Sequence, residues 1–195
     1  MSKCKIIAIA HEKGGVGKTT TTVSLGIGLA RQSKKVLLCD ADPQGDLTKC
    51  LGITNPQELT ATLATAMNNI MTETTFDPKS VILHHDEGVD FIPANGELSA
   101  TETTLVNATD REYIMQDLLN GIKKDYDFIL IDCRPSLGLT VVNALTAADS
   151  IIVPVQAHTL AADDMEGLFK SIGQIKRRAN PGLKVGGIVM TMVDS

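Results

Sequence analysis

The chain has 195 residues, which at roughly 150 residues per domain corresponds to one domain, and its 18 basic and 23 acidic side chains give a formal net charge of −5. That balance excludes a surface that grips nucleic acid all over, and four phenylalanines, two tyrosines and no tryptophan exclude recognition of single strands by base stacking. A 43% hydrophobic and 21% charged composition excludes disorder as an overall description, and no apolar run reaches the ~18 residues of a membrane-spanning helix.

Met1-Ser2-Lys3-Cys4-Lys5 leads directly into a β-rich run without a cleavage-site pattern, so no signal peptide is expected. Residues 4–10 predict a first strand, ending in a Gly-rich loop. Residues 18–33 predict a helix with Val23, Leu25, Ile27, Leu29 and Ala30 on its apolar face. A second strand, 35–39, ends at Asp40. Residues 52–80, with Pro56, Pro78 and a Thr-rich helix-like stretch, are less regular and read as a surface excursion. His84-His85-Asp86-Glu87 reads as a solvated loop, because adjacent histidines on extended backbone point to opposite faces and seldom share one ion. Further strands follow at 89–93, 128–131 (ending at Asp132), 150–155 and 185–190. Helical patterns lie between them at about 96–106, 110–123, 138–147 and 160–179. Thr-Glu-Thr-Thr occurs at 72–75 and 101–104, but its flanks differ and it marks no repeat.

Strands apolar on both faces that alternate with helices imply a parallel sheet covered on both sides. Right-handed crossovers then give a doubly wound α/β fold in a single domain spanning 1–195. Cys4, Cys39, Cys50 and Cys133 form no Cys-x-x-Cys pair and read as reduced structural thiols in a cytoplasmic protein. Lys176-Arg177-Arg178 reads as a polar helix end that favours the dipole, with a nucleic-acid contact as the other reading.

The segment that carries chemistry is Lys13-Gly14-Gly15-Val16-Gly17-Lys18-Thr19-Thr20, between the first strand and the first helix. Glycines let the backbone turn and bring several N–H groups to phosphate oxygens, and a helix N-terminus behind them favours anions. A lysine follows the β- and γ-phosphates, and the adjacent hydroxyl holds Mg²⁺. The common phosphate-loop pattern expects a glycine five residues before Gly17; here that residue is Glu12, with Lys13 beside the glycine pair.

This octapeptide resembles the deviant Walker A box of the ParA/MinD/Soj ATPases. Asp40-Ala-Asp-Pro-Gln-Gly45, Phe91-Ile-Pro-Ala-Asn95, Phe128-Ile-Leu-Ile-Asp-Cys-Arg-Pro-Ser-Leu-Gly138 with Asn143-Ala-Leu145, and Ile152-Val-Pro-Val-Gln156 resemble the ParA/Soj branch in order and spacing. The resemblance implies a P-loop NTPase fold and a Mg²⁺-dependent ATPase that dimerises on ATP and acts in segregating plasmid, mobile-element or chromosomal DNA. It implies that residues 13–20 bind nucleotide and that Lys18 contacts the β- and γ-phosphates. Lys13 would reach the partner's nucleotide in a sandwich dimer, and Asp42 would position the attacking water. Thr19 would ligate Mg²⁺, with Asp40 and Asp132 near the metal and acting largely through its waters. A ParB-like partner would stimulate hydrolysis. Non-specific DNA would be bound through a C-terminal segment that the family carries and that is expected to be missing here, and no membrane partner is implied. Alternatives are a nucleotide-gated regulator or scaffold with little hydrolysis, and a MinD-type cell-division ATPase. His11, Glu12 and Arg134 depart from the family pattern: the first two stand at the mouth of the site. Arg134 reads as a tolerated surface change or as one that alters hydrolysis or partner coupling.

Overall fold

The computed structural model describes residues 4–157 and 162–193, the side chains of 162–166 excepted. In chain order the elements are β1 (Lys5–Ile9), α1 (Lys18–Ala30), β2 (Val36–Ala41), α2 (Asp46–Cys50), α3 (Leu63–Met71), β3 (Leu83–His85), β4 (Val89–Ile92), α4 (Glu97–Leu105), α5 (Ile114–Ile122), β5 (Phe128–Cys133), α6 (Leu139–Ala147), β6 (Ser150–Gln156), α7 (Ala162–Arg178) and β7 (Lys184–Thr191). They build a seven-stranded sheet of order β3-β4-β2-β5-β1-β6-β7, parallel except for the antiparallel β3–β4 pair. The expected doubly wound, three-layer α/β fold is the one observed.

The alternation within single strands shows why both faces are covered. On β2, Val36 and Leu38 join one core, while Leu37, Cys39 and Ala41 join the other. On β5, Leu130 faces the first of these cores, and Ile129, Ile131 and Cys133 face the second. One core is closed by α1 and α2, the other chiefly by α3 to α7. Full burial of a side chain such as Leu38 contributes about 2 kcal/mol.

The crossover direction changes at β1, which lies between β5 and β6. In open α/β sheets such a switch point leaves a crevice beyond the carboxyl ends of the strands, and here the Gly-rich loop after β1 occupies it. The apolar residues expected to face the core from α1, Val23, Leu25, Ile27, Leu29 and Ala30, do pack against it while partly buried, but the buried line of the helix is Lys18, Thr22 and Gly26. A Cβ at Gly26 would lie 2.5 Å from Leu38 Cδ2, so glycine allows the helix to sit close on β2.

Two further expectations are corrected. Residues 52–80 are no surface excursion: α3 buries Leu63, Ala64, Ala66 and Met67 completely and packs on α4 and α5. Its start is set by a capping box in which Thr62 Oγ1 accepts from Thr65 N and Thr65 Oγ1 accepts from Thr62 N. The Thr-rich, helix-like stretch is thus a helix, as expected, and its threonines begin it. His84 and His85 lie on the edge strand β3, not in a loop, and His84 Nδ1 meets Asp90 Oδ1 at 2.7 Å across the β3–β4 pair. Of the four free thiols, Cys39 and Cys133 are buried, whereas Cys50 is exposed on α2.

Asn143 ties the helical layer together. Fully buried, it accepts from Met115 N at 3.0 Å and donates to Arg111 O at 2.7 Å and Leu139 O at 3.0 Å. Asn143→Ala leaves the Met115 amide and the Arg111 carbonyl without this partner, so equilibrium urea unfolding should show a loss of about 2 kcal/mol. A loss below about 0.5 kcal/mol would mean that water takes over both bonds.

Candidate active site at the phosphate loop

The loop between β1 and α1 turns through left-handed backbone at Gly15 (φ 73°) and Gly17 (φ 86°), a conformation that favours glycine. Gly17 is the N-cap of α1 and supplies no side chain to its first amides. Among the described residues, the main-chain N–H groups of Gly14, Gly15, Val16 and Gly17 donate to no protein acceptor. A run of open donors at a helix N-terminus is the arrangement that binds an anion. Lys18 Nζ folds back over the loop and donates to Lys13 O at 3.0 Å. Burial pushes the Lys18 ammonium below its ordinary pKa, and nearby Asp132 opposes the shift.

The loop is braced from strands far away in sequence. Gln156 Nε2 donates to Gly15 O at 3.0 Å, and Thr191 Oγ1 donates to Val16 O at 2.8 Å. Thr191 also leaves little space over Gly17, where a Cβ would meet its Cγ2 at 3.3 Å. Sequence reasoning quoted Gln156 only as part of a resemblance and missed Thr191 altogether.

Beneath the loop, Asp40 and Asp132 are the penultimate residues of β2 and β5, in register with each other, and both are buried. Thr19 Oγ1 donates to Asp132 Oδ2 at 2.6 Å and Thr22 Oγ1 to Asp132 Oδ1 at 3.3 Å. Burial raises Asp132 to about 7, with the Asp40 charge adding to the rise and the Thr19 hydrogen bond opposing it. Asp40 is raised to about 6 by burial, against hydrogen bonds from Thr48 and Asp42. Two buried carboxylates beside a threonine hydroxyl form a donor set short of positive charge. Among the described residues no cluster of three His, Cys, Asp or Glu side chains could hold a metal alone. That combination suits Mg²⁺, which takes one or two protein oxygens and completes its shell with water and phosphate.

Asp40 also organises the next loop. Its Oδ2 accepts from Thr48 Oγ1 at 2.6 Å and Thr48 N at 2.9 Å, and its Oδ1 accepts from Asp42 N at 3.2 Å. Asp42 Oδ1 in turn accepts from Gln44 N at 2.9 Å, an Asx turn that fixes the carboxylate at the site's edge. Gly45 (φ 64°) closes this loop so tightly that a Cβ there would lie 2.8 Å from Ala94 O. The glycine of Asp-Pro-Gln-Gly thus meets both a backbone and a packing demand.

The structure brings residues 13–20, Asp40, Asp42 and Asp132 to this one crevice. His11 is buried and its Nδ1 accepts from Lys13 N at 3.0 Å. Glu12 packs against α7, where a Cβ at Gly167 would meet its Oε2 at 2.8 Å. Arg134 is no free surface group: it pairs with Glu102 of α4, and their side chains are 29% and 21% exposed. Nothing in the sequence singled out Glu102. Lys176, Arg177 and Arg178 form the last turn of α7, as expected.

A family profile described as an AAA domain matches residues 4–185. The chain is 40% identical over 193 residues to the chromosome partitioning protein ParA of Myxococcus xanthus, covering 98% of this chain and 66% of that protein. It is 40% identical over 191 residues to the sporulation initiation inhibitor protein Soj of Bacillus subtilis, covering 98% of this chain and 74% of that protein. Its fold matches a cobyrinic acid a,c-diamide synthase from Mycobacterium smegmatis, solved with bound ADP and magnesium, with a TM-score of 0.91 at 38% identity over 98% of this chain and 76% of that one. No helix among the described residues is long and apolar enough to cross a membrane. With relatives of this similarity across nearly its whole length, and with their phosphate loop in the expected crevice, the chain belongs to the ParA/Soj branch of the AAA-domain P-loop proteins.

Proposed function

We propose that this protein is a Mg²⁺-dependent ATPase of the partition type, which dimerises on ATP and serves the segregation of DNA. The observation that carries the reading is the phosphate loop itself: four open amides, a buried lysine bonded back onto the loop, and Thr19 seated on a buried carboxylate. The nucleotide's anionic oxygens would take the amides of residues 14–17, and Lys18 would exchange the Lys13 carbonyl for phosphate. Mg²⁺ would supply positive charge beside Thr19, Asp40 and Asp132. Asp42, held by its Asx turn, would orient the water that attacks the terminal phosphorus. Lys13 would act in trans, adding a cation where charge develops on the phosphoryl oxygens. A ParB-like partner and non-specific DNA complete the proposal.

The Mycobacterium smegmatis structure is named for an amide-forming synthase. Such chemistry would need an acid and an amine positioned against the same nucleotide. The partition reading is preferred because proteins named for chromosome partitioning reach 40% identity over the same span.

Two experiments test the proposal. Lys18→Ala removes a charge-assisted phosphate contact and should weaken ATP binding by about tenfold or more in isothermal titration, whereas Asp42→Ala should bind ATP normally and release phosphate far more slowly. Unchanged affinity in the first variant, or equal loss of binding and turnover in the second, contradicts the assigned roles. Lys13→Gln should keep monomer ATP affinity but lose ATP-dependent dimerisation in sedimentation velocity, since the residue would cross a two-fold axis where one patch meets itself. Equal dimerisation of wild type and variant would remove Lys13 from the interface.

A further inference from the structure

The loop 134–139, which follows the Asp132 strand, lies directly against the phosphate loop: Pro135 Cβ is 4.0 Å from where a Cβ of Gly14 would sit. Any shift of this loop therefore changes the space above Gly14. What holds it comes from a different helix. Glu102 of α4 reaches both ends of the loop: Oε2 pairs with Arg134 Nη1, and Oε1 accepts from Thr140 N at 3.2 Å. Thr140 lies in the first turn of α6, whose N-cap Gly138 offers no side chain, so Glu102 caps α6 from outside. Gly138 is where the carboxylate passes, because a Cβ there would fall on Glu102 Oε1.

The other end of α4 is tied to the Asp42 loop. Just ahead of the helix, Ala94 N donates to Thr48 Oγ1 at 3.0 Å, and Thr48 holds Asp40, which in turn holds the Asp42 amide. Helix α4, anchored inward by Leu98, Thr101 and Leu105, thus reaches one bordering loop through Glu102, while the segment that leads into it, at Ala94, packs on Gly45 of the other.

We propose that Glu102 is a positioning residue: through Arg134 and the Thr140 amide it clamps loop 134–139 against the phosphate loop, and α4 couples this clamp to the loop that carries Asp42. The proposal rests on the ATPase reading above and adds a residue that acts through others without touching the nucleotide. The pair is partly open to solvent, which screens its contribution to global stability, so its effect should appear chiefly in turnover.

Kinetics, ATP affinity, thermal stability and hydrogen exchange, measured on the full chain, decide it. Glu102→Ala and Arg134→Ala should each lower kcat about tenfold, the scale of one charge-assisted bond, while the ATP Kd and Tm change little. The double variant should be no slower than the worse single, since both remove one link, and Arg134→Lys should recover most of the loss. Losses that multiply, or a lowered Tm with wild-type kcat, would make the pair merely structural. If Glu102→Ala does not fold, Glu102→Gln removes the charge alone and carries the same expectation. Hydrogen exchange without nucleotide addresses the clamp independently of hydrolysis: in Glu102→Ala the Thr140 amide and residues 136–139 should exchange about tenfold faster. Unchanged exchange overturns the clamp. A wild type that neither binds nor hydrolyses ATP overturns the ATPase reading instead, and the exchange result still decides the clamp.

Discussion

Two carboxylates side by side in the middle of a parallel sheet set the terms for the rest of this molecule. Asp40 and Asp132 lie in register one residue before the ends of adjacent strands, both buried, and each unpaired charge there would cost several kcal/mol. The surrounding chain answers with hydroxyls and amides: Thr19 and Thr22 to Asp132, Thr48 and the Asp42 amide to Asp40. None of these donors brings a full positive charge, and both carboxyls remain above the ordinary carboxylate range. A site under such strain is suited to a cation that arrives with a phosphate ligand.

Close approach is the second constraint, and small residues meet it. The phosphate loop can lie over the carboxylates because α1 rides low on β2, with Thr22 and Gly26 as its contact line. The Asp42 loop can lie beside them because Gly45 has no side chain to meet Ala94 O. In both places a methyl group would push apart elements that share one crevice, so local geometry and site geometry are the same requirement.

The loops at the crevice are held less by their own residues than by elements that return from elsewhere. Gln156 and Thr191 hold the carbonyls of Gly15 and Val16 from the ends of β6 and β7, and α4 reaches the loops on the opposite side. The phosphate loop is therefore framed on both flanks by groups whose positions depend on the completed sheet. The flank formed by β6 and β7 thus reaches the loop through direct hydrogen bonds.

By itself the sequence determined the alternation of strands and helices, the parallel sheet and the position of the phosphate loop. All three rest on local patterns: apolar runs of strand length, helical periodicity, and glycines between a strand and a helix. It also brought Asp40, Asp42 and Asp132 into consideration, since each follows an apolar run or sits in a short motif. Only the tertiary structure decided that α3 belongs to the core, that His84 sits on an edge strand, and that the buried line of α1 is small and polar. It alone supplied Glu102 and Thr191 and gave Gln156 its place on the phosphate loop; their bonds span 32, 175 and 141 residues. A side chain that acts on a loop so distant in sequence leaves no periodicity or spacing to read; its partner exists only once the strands have closed into a sheet.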